Sequence, residues 1–524
     1  MPTICIQTRE ETKKQTEMEL SSLHLAFFLF FLPLFIYLFF FRHSPSKKKP
    51  SIHGLKPYPI IGYLPYFVKN RHRFLDWTTE VILQSSTQTM VFRSLGQVSG
   101  IVTANPSNVE HILKSNFDNY PKGERTFTML KDFLGHGIFN SDGEEWRSQR
   151  KAASYEFNKR SLRNFIVNAV KFETVNRLLP LLTKAQEENN VVDIQDVLER
   201  FAFDNICKVA FDVDPACLSD DSPSNKNSNF MEDFGRAQFL VGARFLDVLD
   251  VAWRVKKFLN IGSERQIKES ILAVHNFAVD IIRSRKARSL DDKDHDLLSR
   301  FAANEDYSEE FLRDMVISFL IAGRETTSSA LTWFFWILST RRDVEQRIVQ
   351  EIQSVRCHSE GETFSYDELH EMNYLHAAIT ESMRIYPPVP IDTQSCMHDD
   401  VMPDGTFVTS GSFVTYSAYA MGRSEKIWGE DFNEYKPERW LDKDGHFKPE
   451  SPFRFPVFHA GPRMCLGKEM AYIQMKSIVA SIVERFKLSA VRTEEKGGNP
   501  PEHVLSFTLR MRGGLPVLVR KREE

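Results

Sequence analysis

The chain has 524 residues, of which 42% are hydrophobic and 26% charged, a composition typical of a globular protein with a large core. Its formal net charge of −3 argues against a nucleic-acid-binding protein. The six cysteines are scattered without a C-x-x-C pair, which argues against a disulfide scaffold or a zinc module and fits a reducing compartment.

A membrane anchor is predicted near the N-terminus. Residues 25–41 form a run of 17 residues that is apolar except for Pro33 and Tyr37, just long enough to span a bilayer as a helix. Arg42 and the three lysines at 47–49 follow, so the bulk of the chain is expected on the cytosolic side. A cleaved signal peptide is the alternative, although no small-residue cleavage motif follows the run.

The anchor divides the chain into four parts. Residues 1–24 form a polar tail, 25–41 the transmembrane anchor, 42–65 a basic and proline-rich hinge, and 66–524 one globular domain. Prolines and glycines prevent the hinge from continuing a helix. Because the tail is unusually polar for the start of an anchor, Met18 is an alternative first residue.

The globular domain is predicted to be mainly helical. Short strands are expected at 89–93, 98–104 and within 399–419. A helix opens at Asn105 and Pro106. The Ser- and Asp-rich stretch 214–229 predicts a surface loop, and the mixed charges of 283–296 predict a solvated connection.

One long buried helix is predicted from its N-cap Ser308 to about Arg341. At ~1.5 Å per residue it measures ~50 Å, enough to cross a whole domain. Its centre carries A-G-R-E-T-T at 322–327, where an acid and two hydroxyls are costly unless satisfied or used. Thr326 can bond a carbonyl one turn earlier, beside Gly323, so a locally satisfied kink is the alternative to a functional site.

Two residue pairs share helix faces at shorter range. Trp146 and Arg150 are spaced i, i+4, and Glu381 and Arg384 are spaced i, i+3. The second pair is followed by K-P-E-R-W at 436–440. Taken alone, either pair is also consistent with an ordinary amphipathic or surface helix.

A cysteine loop near the C-terminus carries the strongest chemical signal. Residues 458–467 read F-x-x-G-x-R-x-C-x-G, and the apolar periodicity of 466–486 predicts a helix directly after Cys465. A helix N-terminus stabilises a thiolate, Gly461 permits a turn with positive φ, and Arg463 offers a cation for a carboxylate. These parts suit a haem iron bound through one thiolate, whereas an inert buried cysteine is the alternative.

The motifs occur in an order that resembles the cytochrome P-450 superfamily. They are the segments 146–150, 322–327, 381–384 with 437–439, and 458–467. The resemblance implies a mainly α fold with a small β lobe, with haem b held between the long helix and the Cys465 helix. Residues 66–524 are then the haem-thiolate monooxygenase domain, on an N-terminal transmembrane helix.

The resemblance also implies a role for each motif residue. Cys465 would bind the iron, and Thr326 and Glu325 would be catalytic, hydrogen-bonding dioxygen and relaying protons. The remaining motif residues would hold the cofactor or the fold: Trp146, Arg150 and Arg463 on the haem propionates, Gly323 making room for the ligand, Phe458 beside the haem, and Glu381, Arg384 and Arg439 as structural supports. Gln394 stands where many members have a cation, so one expected propionate charge is missing.

The finer resemblance is to the plant-type fatty-acid ω-hydroxylase branch, through segments 323–327, 386–392 and 460–471. It implies hydroxylation of an apolar carboxylic acid at or near the ω carbon, with O₂ and electrons from an NADPH-cytochrome P-450 reductase. The same branch includes hydroxylases of jasmonoyl–amino acid conjugates, which is the first alternative. The expected location is the endoplasmic reticulum membrane, single-pass, with the domain in the cytosol.

Two alternatives belong to other functional classes. A haem-thiolate isomerase or dehydratase of hydroperoxides would need no reductase, and a haem sensor would need no acid–alcohol pair.

Two sets of residues each allow two interpretations. Basic residues that either meet an acidic partner or form a solvated face are Arg147, Arg150, Lys151, Lys159, Arg160 and Arg163. Apolar residues that line either a channel or the core are Phe127, Leu130, Phe133 and Phe139.

Overall fold

The computed structural model describes residue 58 and residues 62–94, 97–157, 160–219, 226–246, 250–287, 296–302, 307–356, 361–491 and 500–523. The chain divides into two compact units, one formed by 1–72 with 91–100 and the other by 73–90 with 101–524. The predicted tail, the anchor and most of the hinge lie outside the described residues. No helix among the described residues has the length and apolar character needed to cross a membrane.

Helices dominate the described residues. In chain order they are α1 Leu64–Asn70, α2 Phe74–Gln84, α3 Pro106–Glu110, α4 Gly123–Leu134, α5 Gly143–Phe157, α6 Arg160–Glu173, α7 Leu179–Glu187, α8 Ile194–Phe211, α9 Lys226–Ala243, α10 Asp250–Leu259, α11 Gly262–Lys286, α12 Leu297–Ala302, α13 Glu309–Thr340, α14 Arg342–Arg356, α15 Tyr366–Glu371, α16 Asn373–Ile385, α17 Ala418–Met421, α18 Glu425–Trp428 and α19 Lys468–Arg485.

The strands of the described residues form small sheets. They are β1 Thr89–Ser94, β2 Gln97–Thr103, β3 Val191–Asp193, β4 Asp392–Ser395, β5 Asp400–Val401, β6 Phe407–Val408, β7 Phe413–Tyr416, β8 Phe486–Ala490, β9 His503–Leu505, β10 Leu509–Met511 and β11 Pro516–Lys521. The sheet orders are β1-β2-β7-β4, β3-β11-β8, β5-β6 and β10-β9. The prediction of a mainly helical fold with small β elements is confirmed.

Helix α13 is the long helix predicted from the sequence. The Ser308 hydroxyl accepts a hydrogen bond from the backbone N–H of Phe311 at 3.1 Å, as expected of an N-cap. Its side chains are buried along most of its length because it packs against α8, α11, α14, α16 and α19. The helix therefore runs through the core, and any accessible residue at its centre borders a space inside the protein.

Two loop predictions were partly wrong. Helix α9 begins at Lys226, inside the stretch expected to be a surface loop. In the expected solvated connection, Arg285 and Asp296 are both buried and form an ion pair at 2.9 Å. A sequence rich in charges can still be buried when each charged side chain pairs with an opposite charge on another element.

Candidate functional site

The cysteine loop adopts the turn that its glycines predict. Gly461 has φ of +65°, and a Cβ at that position would lie 1.9 Å from the carbonyl oxygen of Leu113. His459 also has a positive φ, of +61°. The backbone N–H of Cys465 donates to the Phe458 carbonyl at 2.8 Å, which closes the loop. Helix α19 then starts at Lys468, three residues after Cys465, so the cysteine precedes a helix N-terminus as predicted.

The Cys465 side chain is accessible but closely surrounded by protein. Burial raises the pKa of its thiol, while the Gly467 N–H, Arg150 and Lys468 oppose the rise. Cys465 is therefore an exposed residue with close protein neighbours. The Gly467 N–H, Arg150 and Lys468 would stabilise a thiolate at this position.

Arg463 and the two α5 residues that were predicted to act with it lie together. The Arg463 guanidinium carbon lies 4.3 Å from the centre of the Trp146 ring. Its Nη2 donates to the Ser141 carbonyl at 2.9 Å and to the Asp142 carboxylate at 2.7 Å. Arg150 donates to the Met464 carbonyl, one residue before the cysteine. Helix α5 therefore brings both of its predicted residues to the cysteine loop.

Further charged residues near Arg463 were missed at the sequence level. Lys122 Nζ lies 2.6 Å from Asp392 Oδ1, and His459 Nε2 lies 3.2 Å from Asp392 Oδ2. Burial would raise the pKa of Asp392, but Lys122 and His459 outweigh it and hold that pKa well below its usual range. Gln394 also donates to Asp392, at 3.0 Å. Lys122 and Asp392 are 270 residues apart, so no local pattern reports the pair.

The centre of α13 has one accessible face. Ala322 is exposed and Thr326 half-buried, although Arg324, Glu325 and Thr327 beside them are buried. The Thr326 hydroxyl donates to the Ala322 carbonyl at 2.6 Å, which is the bond predicted one turn back. This face presents a small side chain and a hydroxyl to the interior space.

Glu325 belongs to a buried ionic cluster. Its Oε1 lies 2.9 Å from Arg324 Nη1, and its Oε2 accepts a long hydrogen bond from the Thr508 hydroxyl at 3.5 Å. The Glu325 side chain is 3% exposed. The acid is therefore held by polar partners within the core, one residue away from the accessible Thr326.

Gly323 packs closely against α8. A Cβ at this position would lie 2.5 Å from two side-chain carbons of Ile206 on α8. The missing side chain therefore lets α8 and α13 approach each other. The expected role of Gly323 in making room for a ligand stays a prediction beside this packing role.

The predicted supporting network is present beneath the loop. Glu381 and Arg384 are paired on α16, and the Trp440 indole donates to Glu381 at 2.8 Å. Arg439 Nε lies 3.5 Å from Glu381 Oε1. Arg384 also donates to the Phe432 and Glu434 carbonyls, at 2.7 and 2.9 Å. These bonds tie the segment before the cysteine loop to α16.

The remaining predicted residues lie as follows. Phe458 is half-buried, with its ring 5.3 Å from that of Tyr472. Leu130 and Phe133 are in the core, and Phe133 packs against Phe234 and Phe507, so the core interpretation holds for these two. Phe139 is 42% exposed. In the basic cluster, Arg147 is neutralised by Glu144 and Asp118, while Lys151 is exposed.

Comparison with known proteins identifies the family. The cytochrome P450 family model matches residues 52–512. The chain belongs to the cytochrome P450 family. Its relatives include cytochrome P450 CYP94D108 of Paris polyphylla, 49% identical over 92% of this chain and 94% of the relative. Cytochrome P450 94A1 of Vicia sativa is 45% identical over 89% and 90%, and cytochrome P450 94B1 of Arabidopsis thaliana is 44% identical over 94% and 96%.

These relatives place the chain in the 94 branch of the cytochromes P450, which are monooxygenases that carry haem with a thiolate axial ligand. The residues described above fit that group. The cysteine loop presents an accessible sulfur, α13 presents an accessible face in the core, and cations gather beside the loop. A thiolate donor with nearby cations is the set that an iron porphyrin with two carboxylates requires.

Proposed function

We propose that Cys465 is the axial ligand of the haem in this monooxygenase, and that Trp146, Arg150 and Arg463 hold its propionates. The observation that carries the proposal is the accessible Cys465 sulfur in a loop built by Gly461 and Gly467. Arg150 bonds the residue before the cysteine, and Arg463 stacks on Trp146, so the three residues converge from two elements. Phe458 flanks the same loop.

Thr326 and Glu325 are the proposed proton-handling residues. Bound haem with a thiolate ligand supplies the oxygen activation that inserts one oxygen atom into a C–H bond and reduces the other to water. The Thr326 hydroxyl donates to Ala322, so its oxygen lone pairs can accept a hydrogen bond. Glu325 lies at the next position, with its carboxylate held away from water by Arg324 and Thr508. The pair therefore joins an accessible hydroxyl to a buried acid.

The proposed substrate is a fatty acid, hydroxylated at or near its ω carbon. Membership of the 94 branch supports this, together with the resemblance of segments 323–327, 386–392 and 460–471 to plant-type fatty-acid ω-hydroxylases. An NADPH-cytochrome P-450 reductase is the proposed electron donor. Residues 25–41 are the proposed single-pass anchor, 42–65 the hinge and 66–524 the catalytic domain, facing the cytosol from the endoplasmic reticulum.

Turnover assays test the substrate. The full chain, with reductase, NADPH and O₂, should convert laurate to a hydroxylaurate whose position is located by mass spectrometry. A panel of longer fatty acids and a jasmonoyl–isoleucine conjugate would run in parallel. Turnover of the conjugate with no fatty-acid product would overturn the substrate proposal. Conversion of a fatty-acid hydroperoxide without reductase would instead indicate an isomerase or dehydratase.

A further inference from the structure

A ring of ionic and polar contacts closes behind Glu325. Arg324 Nη2 donates to Glu199 Oε2 on α8 at 3.4 Å, while its Nη1 lies 2.9 Å from Glu325. Glu199 also accepts from Arg510 on β10. Thr508, two residues before Arg510, donates to Glu325 and closes the ring. Three separate elements, α8, α13 and β10, therefore meet at one cluster.

The cluster is balanced in charge and largely buried. Glu199, Arg324 and Glu325 are 7%, 2% and 3% exposed, and Arg510 is the member that reaches toward solvent. Two carboxylates face two guanidinium groups, so the ionised cluster has no net charge. Removing one buried charge leaves its partners uncompensated, and the survivors must then move or change protonation.

Backbone contacts fix the three elements around the cluster. The Leu509 carbonyl accepts from the Ser329 hydroxyl at 2.8 Å and from the Trp333 indole at 2.9 Å, which docks β10 on α13. Gly323 lets Ile206 of α8 approach α13 one residue before Arg324. Ile206 and Glu199 are seven residues apart and lie on the same face of α8. The positions of Glu199 and Arg510 relative to Glu325 are thereby set by the packing.

We propose that Glu199 is a positioning residue for oxygen activation, which holds Glu325 in place through Arg324 with the help of Arg510. The proposal rests on the proposed role of Glu325 as the acid beside Thr326. Without the Glu199 carboxylate, Arg324 keeps its ion pair with Glu325, and Arg510 keeps its attraction to Glu325 and, more weakly, to Asp193. The Glu325 carboxylate would then be drawn toward them and away from the proton path.

The same surroundings make Glu199 sensitive to pH. Burial, followed by the nearby Glu325, raises the pKa of Glu199 to about 7, against the lowering effect of Arg510 and Arg324. Among the described residues, the charged groups that act most on Glu199 are these three, and the nearby Thr508 carries no charge. Below neutral pH, Glu199 is protonated and the cluster carries excess positive charge; above it, the cluster is balanced.

The test uses the isosteric variant Glu199→Gln in the full-length haem enzyme. Without an organic substrate, each O₂ leaves either as hydrogen peroxide, at the cost of one NADPH, or as two waters, at the cost of two. We expect the share that leaves as peroxide to rise several-fold over wild type at pH 8, where Glu199 is charged, and by much less at pH 6. Glu199→Asp should lower that share again. Peroxide release is measured without an organic substrate, so the result does not depend on the fatty-acid proposal. An unchanged peroxide ratio at both pH values would overturn the role of Glu199.

An independent readout uses the resting enzyme. Infrared difference spectra recorded from pH 6 to pH 8 should show protonated carboxyl absorbance that titrates near neutral pH in wild type, to which Glu173 and Glu199 both contribute. Glu199→Gln should lose the Glu199 part of that absorbance, and Glu173→Gln should keep it. A Glu199→Gln difference spectrum identical to that of wild type would contradict the proposal.

The matched control is Glu264→Gln. Glu264 is equally buried and is paired with Arg244 through Nε at 3.0 Å, in a cluster that contains none of the ring residues. The control variant should leave both readouts as in wild type. A rise in peroxide release equal to that of Glu199→Gln would show a general packing effect and overturn the proposal.

Discussion

Glu381 and Arg384 form a two-pronged ion pair in which neither side chain is accessible. Nε lies 2.8 Å from Oε2, and Nη2 lies 2.8 Å from Oε1. Glu381 also accepts from Trp440 and from the backbone N–H of Lys436. One carboxylate thus holds together the helix and the segment that leads to the cysteine loop.

Glu381→Ala should therefore destabilise the protein strongly. The change leaves Arg384 buried and unpaired, which costs about 3–5 kcal/mol in the free energy of unfolding. The guanidinium concentration at the unfolding midpoint and the haem-to-protein ratio should both fall. Arg265→Ala, which removes an exposed pair with Glu269, is the control and should change neither. A haem content equal to wild type in Glu381→Ala would be inconsistent with this role.

Cys465→Ala should abolish the spectral signature of thiolate ligation. The reduced carbon monoxide adduct of the wild-type enzyme should show the thiolate-type Soret band, because Cys465 is the proposed ligand. The control is Cys396→Ala, since Cys396 is buried and remote from the loop in sequence. Retention of the band in Cys465→Ala would assign the ligand to another residue.

Thr326→Val should uncouple oxygen use from product formation while leaving the fold intact. Within the described part of the chain, the Thr326 hydroxyl bonds the Ala322 carbonyl one turn back, which also serves the helix backbone, so the substitution leaves this acceptor satisfied. We expect the fraction of consumed O₂ that is released as hydrogen peroxide to rise by about tenfold. An effect of this size is reasonable for the loss of a group that assists proton transfer. Thr332→Val removes the same kind of bond, from Thr332 to the Ser328 carbonyl, deeper in the same helix, and should leave coupling unchanged. Equal effects of both substitutions would refute a special role for Thr326.

Gly323→Ala should destabilise the enzyme despite the better helix propensity of alanine. The added methyl meets Ile206 at 2.5 Å, and overpacking of this kind costs about 1–3 kcal/mol. Combining it with Ile206→Ala should recover much of the loss, as measured by thermal unfolding. If the single variant were as stable as wild type, the close approach of α8 and α13 would not need glycine.

Stability should fall with rising pH because of Glu173. Burial and the nearby Asp204 raise the pKa of Glu173 to about 8, although Arg177 lies 2.6 Å away and opposes this rise. The folded state then binds more protons than the unfolded state between the ordinary glutamate pKa and pH 8. Stability from this group is complete below that window and is lost across it, by at most about 1.4 kcal/mol per pH unit.

Thermal unfolding of Glu173→Gln at several pH values checks this dependence. The variant should show a shallower loss of stability between pH 5 and pH 8 than wild type does. A parallel pH profile for the two proteins would mean that Glu173 is ionised throughout.

Features that depend on neighbours in sequence were accessible to prediction. The span of α13, its Ser308 cap, the Thr326 back-bond and the Gly461 turn each follow from residues within a few positions of one another. Local spacing determines which side chains share a helix turn, so these predictions required no knowledge of the fold.

Partners that are distant in sequence were not accessible. Glu199 and Arg510 are 311 residues apart, and only the packing of β10 on α13 makes them neighbours. The same holds for the packing of Gly323, because its neighbour Ile206 belongs to a different helix. A motif can identify a residue as special without revealing which surface it meets.

The docking of β10 has a consequence for biosynthesis. Thr508, which donates to Glu325, follows it by 183 residues in the chain, and Arg510 comes just after. A ribosome must therefore synthesise this long stretch before α13 acquires its final neighbours. Prematurely terminated products that lack this strand would retain the cysteine loop but not a complete acid cluster, so haem capture and productive chemistry would mature at different moments in the life of the chain.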